Sequence, residues 1–128
     1  MIEEFFKFLG QILKLTSEKL YVEALVLIDQ TAQRFLKIDM DEVVNNEDVR
    51  LDLLNKHVLS ADQLTMLAEL LKAKADIYSE TNHMFTAISH YQLSLSVYEQ
   101  VQKESTNFSL DIANKIDDLK LLLFTLSS

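Results

Sequence analysis

The sequence predicts an all-α protein, and three observations carry the prediction. Proline is absent and Gly10 is the single glycine in 128 residues, where average usage supplies about six prolines and about nine glycines. Apolar side chains recur at spacings of three and four along most of the chain, the pattern of helices with one buried face. Ser60 and Gln63 form an S-x-x-Q capping box immediately before such a run, which marks a helix start. Turn-rich β folds are disfavoured by the same shortage of glycine and proline.

The elements follow in order. In segment 2–15, Ile2, Phe5, Phe6, Phe8, Leu9, Ile12, Leu13 and Leu15 fill about half the helical circumference, and Glu3, Glu4, Lys7, Gln11 and Lys14 take the rest. A helix over about 19–38 places Leu20, Ala24, Leu27, Ile28, Thr31, Phe35 and Ile38 at the same spacings. Its wide apolar arc predicts two neighbours. From 39 to 48, Asp39, Asp41, Glu42, Glu47 and Asp48 meet no basic partner, and Asn45 and Asn46 favour a turn or an N-cap. The expectation is a solvated acidic loop or broken helix, then a short helix through 47–58.

The capped helix over 61–79 carries two apolar stripes, Leu64, Leu67, Ala68, Leu71, Ala75 and Tyr78 on one side and Met66, Leu70, Ala73 and Ile77 on another. Two stripes predict a helix sandwiched between neighbours. After the polar turn SETNH, a helix over about 83–103 uses Met84, Ala87, Ile88, Tyr91, Ser94, Leu95, Tyr98 and Val101. The last helix, about 108–126, sets Ile112, Ile116, Leu119, Leu123 and Leu126 on a coiled-coil-like seam.

Bulk properties narrow the function classes. A chain of 14.8 kDa predicts one domain with a folded surface of about 7,000 Å². Glycine-rich phosphate cradles of the Rossmann and P-loop kinds are excluded, because they use glycine for positive φ and close backbone approach. The formal net charge of −8 opposes nucleic acid and anionic membrane surfaces, so basic or neutral protein partners are expected. The absence of cysteine fits a reducing interior. The acidic N-terminus MIEEFF is unlike a secretory signal, and no apolar run approaches the ~20 residues of a membrane span. Together these point to a soluble, cytoplasmic protein.

Ala75, Tyr78, Ala87, Tyr91 and Ser94 place small residues where two helices would cross and rings beside them. With Leu71, they resemble the signature of the tetratricopeptide repeat, a helix–turn–helix unit. A weaker unit lies in LYVEALVLIDQTAQRFL, where Ala24, Ile28 and Thr31 follow Phe8, Ile12 and Leu15 of the preceding helix. Ala24 and Ala87 are 63 residues apart rather than the 34 of adjacent repeats. The resemblance therefore implies two units, about 2–38 and 61–103, with an insertion at about 39–59. More narrowly, YVEALVLIDQ followed by LAELLKAKADIYSETN is similar to a small bacterial family of all-helical, tetratricopeptide-like proteins, a likeness that transfers no activity. The implied fold is one domain over 1–128: a short stack of antiparallel helix–turn–helix pairs, five or six helices, with a C-terminal capping helix over about 108–126.

Few constellations point to chemistry. His83 and His90 sit about 10.5 Å apart along a helix axis, too far for one ion, and Glu80 with His83 gives the E-x-x-H spacing once where a di-iron site needs it twice. The acidic run DMDEVVNNED lacks the glycine and closing glutamate of a calcium loop. No serine has a glycine-flanked nucleophile elbow, and Ser89 and His90 point ~100° apart on a helix. The expectation is a non-enzyme with no metal or cofactor.

The resemblance implies a partner surface instead, because the first helix of each unit lines a concave face. Transferred to this chain, that face is Phe6, Leu9 and Leu13 in the first unit and Glu69, Lys72, Asp76 and Ser79 in the second. Chaperone-binding members of the repeat family clamp a peptide carboxylate with lysine and asparagine. Lys72 matches one such position, but Asp76 stands where asparagine is needed and would repel the carboxylate. The bare apolar residues admit two readings: an amphipathic helix from a partner docks on them, or Val43, Val44, Leu51, Leu53 and Leu54 of the insertion fold back and cover them. The second is favoured, since soluble chains seldom leave such patches open. On the last helix, Leu110, Leu121 and Phe124 offer a face for a homodimer. The function expected is thus a protein or peptide interaction module, with a metal- or ligand-binding bundle using Glu80 and His83, or a homodimeric regulator, as the alternatives.

Overall fold

A computed structural model describes residues 2–104 and 109–127. Among them the chain is all-helical, with seven helices: α1 (Ile2–Ser17), α2 (Tyr21–Leu36), α3 (Met40–Asn45), α4 (Glu47–Asn55), α5 (Ala61–Glu80), α6 (Met84–Glu104) and α7 (Leu110–Leu126). The accessible surface is 7514 Å². Phe108, where the sequence sets the start of the last helix, lies outside the described residues. Ser109 caps α7 by accepting a hydrogen bond from the Ile112 amide.

Seven helices replace the expected five or six because the acidic segment is capped twice. Asp39 accepts from the Asp41 and Glu42 amides and starts α3, and Asn46 accepts from the Val49 amide and starts α4. Asp41 stays solvated, but contrary to expectation it has a basic partner, the buried Lys74 ammonium of α5 at 3.2 Å.

Helix ends are made almost without glycine. Lys19, Lys37, His57 and Asn82 all adopt the left-handed conformation, with φ between 52° and 63°, just beyond α1, α2, α4 and α5. At Asn82 the His83 amide reaches back to the Tyr78 carbonyl and the Asn82 amide to Ser79, closing a Schellman turn. Lys19 and Leu20 close α1 in the same way, through Thr16 and Leu15.

Two antiparallel hairpins build the core. Phe5 and Phe8 near the start of α1 meet Phe35 at the end of α2 edge-to-face, and Glu4 pairs with Arg34 outside them. In the second hairpin Ala68, Asp76 and Tyr78 of α5 meet Ser94, Tyr91 and His90 of α6. Ala75 and Ala87 are fully buried in this hairpin, and the Ser94 hydroxyl donates to the Ala68 carbonyl at 2.8 Å, so the two helices lie close there. Helix α5 also packs on α1 and α2, and α7 packs on α6. Both apolar stripes of α5 are consequently buried, save for a half-exposed Tyr78. Ile112 and Leu119 of the α7 seam are buried, and Ile116, Leu123 and Leu126 are half-buried against the core.

Candidate binding cleft

Where α1 and α7 flank the α5–α6 hairpin they leave a cleft of about 350 Å³. Its wall from α1 is the exposed Leu13 with Leu9 buried behind it, and the buried Ala73 and Leu119 form its apolar base. Its charged and amide residues come from two helices, and α6 adds Tyr98. Glu69, Lys72 and Asp76 of α5 lie at i, i+3 and i+7, and Asp111, Asn114, Lys115 and Asp118 of α7 at i, i+3, i+4 and i+7, the spacings that put side chains on one helical face.

The polar groups form two similar clusters. Glu69 accepts from the Tyr98 hydroxyl at 2.5 Å and from the Lys115 ammonium, and Lys115 also lies 5.9 Å from the centre of the Tyr98 ring, a cation–π distance. Asp76 accepts from the Tyr91 hydroxyl with one oxygen and from Lys72 Nζ, at 3.2 Å, with the other. Seven residues separate the two carboxylates on α5 and seven separate the two tyrosines on α6, so the antiparallel hairpin brings each ring to its own carboxylate. Burial pushes both phenols far above their ordinary range. For Tyr91 the hydrogen bond to Asp76 adds to that, and for Tyr98 the charge of Glu69 does. The phenols stay protonated at neutral pH and brace the carboxylates.

The electrostatic balance is acidic. Four carboxylates and two ammonium groups line the cleft, and both ammonium groups are already paired within it. Among the described residues Asp111 and Asp118 have no ion pair, and both are exposed.

Five of the seven residues read from the sequence, Leu9, Leu13, Glu69, Lys72 and Asp76, line this one cleft. Phe6 and Ser79 do not: Phe6 turns one face to Phe5 and is 47 % exposed, and Ser79 sits half-buried in the last turn of α5. The insertion does not cover the α1 residues, contrary to expectation, and Leu13 stays 51 % exposed. Val43, Leu51, Leu53 and Leu54 lie instead with Leu67 and Leu71 of α5 and Leu93 and Val97 of α6. The Lys74–Asp41 pair and Arg50, which donates to the Val43 and Val44 carbonyls at 3.1 Å, hold them there. The contribution of α7 escapes sequence reasoning. Its only trace in the sequence is the 111, 114, 115, 118 spacing, which reads equally well as the solvent side of a capping helix.

The histidines do not converge. His83 is exposed, with Nδ1 2.9 Å from the Thr81 hydroxyl, and His90 is buried, its Nδ1–H donating to the Thr86 carbonyl at 2.8 Å. Among the described residues no group of three or more His, Asp or Glu is placed to hold a metal ion, and no helix is long and apolar enough to cross a membrane. Comparison of the chain with family models, characterised proteins and solved structures finds no match.

Proposed function

We propose that the protein is a non-catalytic interaction module, a short tetratricopeptide-like stack whose α1–α5–α7 cleft takes a segment of a protein partner carrying both apolar and basic residues. The observation that carries this reading is the convergence of an apolar wall with an acidic rim. Leu13, 51 % exposed and backed by the buried Leu9 and Leu119, offers surface to an aliphatic side chain, and Asp111 and Asp118 are left for a cation because Lys72 and Lys115 are paired internally. A carboxylate-terminated peptide is disfavoured, since the Lys72 ammonium already sits on Asp76. The stack is supported by the buried Ala75 and Ala87 and by the packing of α5 on both helices of the first hairpin.

Affinity purification of the tagged protein from its native host, beside L13E and D118K variants, tests the reading. The expected result is a stoichiometric partner held by the wild type, lost from both variants, and released at raised ionic strength as exposed ion pairs are screened. Equal recovery with all three would overturn it.

A second reading rests on α7, where Leu110, Leu121 and Phe124 are 67 %, 67 % and 74 % exposed. Leu110 and Leu121, two large apolar side chains on the exposed side of α7, suit the homodimer interface of a regulator. Sedimentation at micromolar concentration is expected to show a dimer that Leu121→Glu dissociates, and a wild-type monomer would eliminate it.

A further inference from the structure

A second cavity, of about 240 Å³, lies under α4 on the hairpin face away from the α1 wall. Leu53 and Leu54 of α4 roof it, Leu67 and Leu71 of α5 floor it, and Leu93 and Val97 of α6 close its side. No residue of α4 is fully buried, and Leu53 and Leu54 reach the core from a half-buried position.

Arg50 stands at the edge of this cavity. Its Nη1 donates to the Val43 and Val44 carbonyls at the end of α3, which leaves its other N–H groups. Among the described residues the other buried or half-buried cations all have a carboxylate: Lys72 has Asp76, Lys74 has Asp29 and Asp41, and Lys115 has Glu69. Arg50, half-buried in a chain of net charge −8, has none. Arg50, Leu93 and Ser96 also border an adjoining depression that Ser89 and Gln92 make polar. An apolar chamber thus opens beside an unpaired guanidinium and a set of neutral hydrogen-bonding groups.

We propose that this is a binding site for a medium-chain alkyl carboxylate, with the chain in the leucine-lined cavity and the carboxylate on Arg50. Because a cavity of about 150 Å³ holds benzene, this one takes roughly eight to ten carbons. The guanidinium selects the anionic head, since carboxylates accept its parallel N–H donors.

Titration calorimetry of the full chain with decanoate, 1-decanol and decyltrimethylammonium tests the site. Decanoate is expected to bind saturably at one per chain and at least tenfold more tightly than the other two. R50Q should lose that preference while still binding decanol, R50K should retain most of it, and L93W, which fills the cavity, should abolish binding while thermal unfolding stays cooperative. Amide shifts on adding decanoate should cluster at Leu53, Leu67, Leu93 and Ser96. Decanoate that does not saturate, that binds the wild type no better than decanol, or that shifts Leu13 and Asn114 of the α1–α5–α7 cleft instead would overturn the assignment. The wild-type comparison decides the matter even where R50Q, having lost its bonds to α3, folds poorly.

Discussion

Replacing Ala87 by leucine probes the contact on which the arrangement of α5, α6 and the cleft depends. Ala87 and Ala75 are both 0 % exposed, and about two turns beyond Ala87 on α6 the Ser94 hydroxyl reaches the Ala68 carbonyl at 2.8 Å, so the hairpin is packed along its length. Three added heavy atoms have no space to enter, so the helices must separate or side chains must leave their preferred rotamers, at a cost of about 1–3 kcal/mol. With an unfolding entropy of about 2.1 cal/mol/K per residue, a chain of 128 residues has a total of about 270 cal/mol/K, so the melting temperature should fall by roughly 4–11 °C. Thermal unfolding followed by far-ultraviolet circular dichroism measures this. The same exchange at the exposed Ala61 serves as control and should stay within about 0.5 kcal/mol. The strain should also part the Tyr98–Glu69 and Tyr91–Asp76 bonds, visible as increased amide exchange in α5. An A87L variant as stable as the A61L control would refute the reasoning, because the crossing would then not be tight.

Other residues give sharper local tests. Burial holds the His90 imidazole below its ordinary value of 6.5, against the bond to Thr86, with Lys74 lowering it further and Asp41 raising it. The unfolded chain therefore binds the extra proton first, so this contribution to stability is full above pH 6.5 and is lost as pH falls towards the lower folded value. Denaturation at several pH values should show that slope, and H90L should flatten it. Lys74 is 4 % exposed but its partners Asp29 and Asp41 are 53 % and 74 % exposed. K74M strands no buried charge and should shift stability by less than about 1 kcal/mol, whereas D29A with D41A leaves the ammonium unpaired and should cost about 1–3 kcal/mol. Equal costs in urea titrations would contradict that asymmetry. Lys37 holds φ at 57° after α2, a conformation that costs an L-residue about 1–2 kcal/mol. K37G should therefore raise stability by about 0.5–1 kcal/mol, the strain relief exceeding the added chain entropy, and a lower urea midpoint would contradict it.

Local signals carried most of the fold. The Ser60–Gln63 capping box appears as read, with both reciprocal bonds formed, and helix ends at the long elements shift by no more than a few residues. The two stripes on α5 place it at the centre because a helix with apolar residues on two sides can satisfy them only between neighbours. The acidic segment is harder to read, since its organisation depends on Lys74, which is 33 residues away from Asp41 in the sequence. The cleft shows the same division. Its α1 and α5 residues follow from the repeat resemblance, and helical spacing also gathers Glu69, Lys72 and Asp76 on one stripe, but the pairing of Lys115 on α7 with Glu69 spans 46 positions, which no local pattern encodes. The insertion packs elsewhere than expected because hydrophobicity says that Val43, Leu51 and Leu54 must be covered without saying which of two apolar surfaces covers them.

The proposed function places a partner in the cleft between α1, α5 and α7. A photoreactive amino acid introduced in turn at Leu13, Asn114, Asp118, Val22 and Phe85, followed by irradiation of living host cells, tests it most directly. The account predicts a shared adduct with one protein at positions 13, 114 and 118, and that adduct absent at the exposed positions 22 and 85. Adducts concentrated at Val22 or Phe85, with none at the three cleft positions, would contradict it.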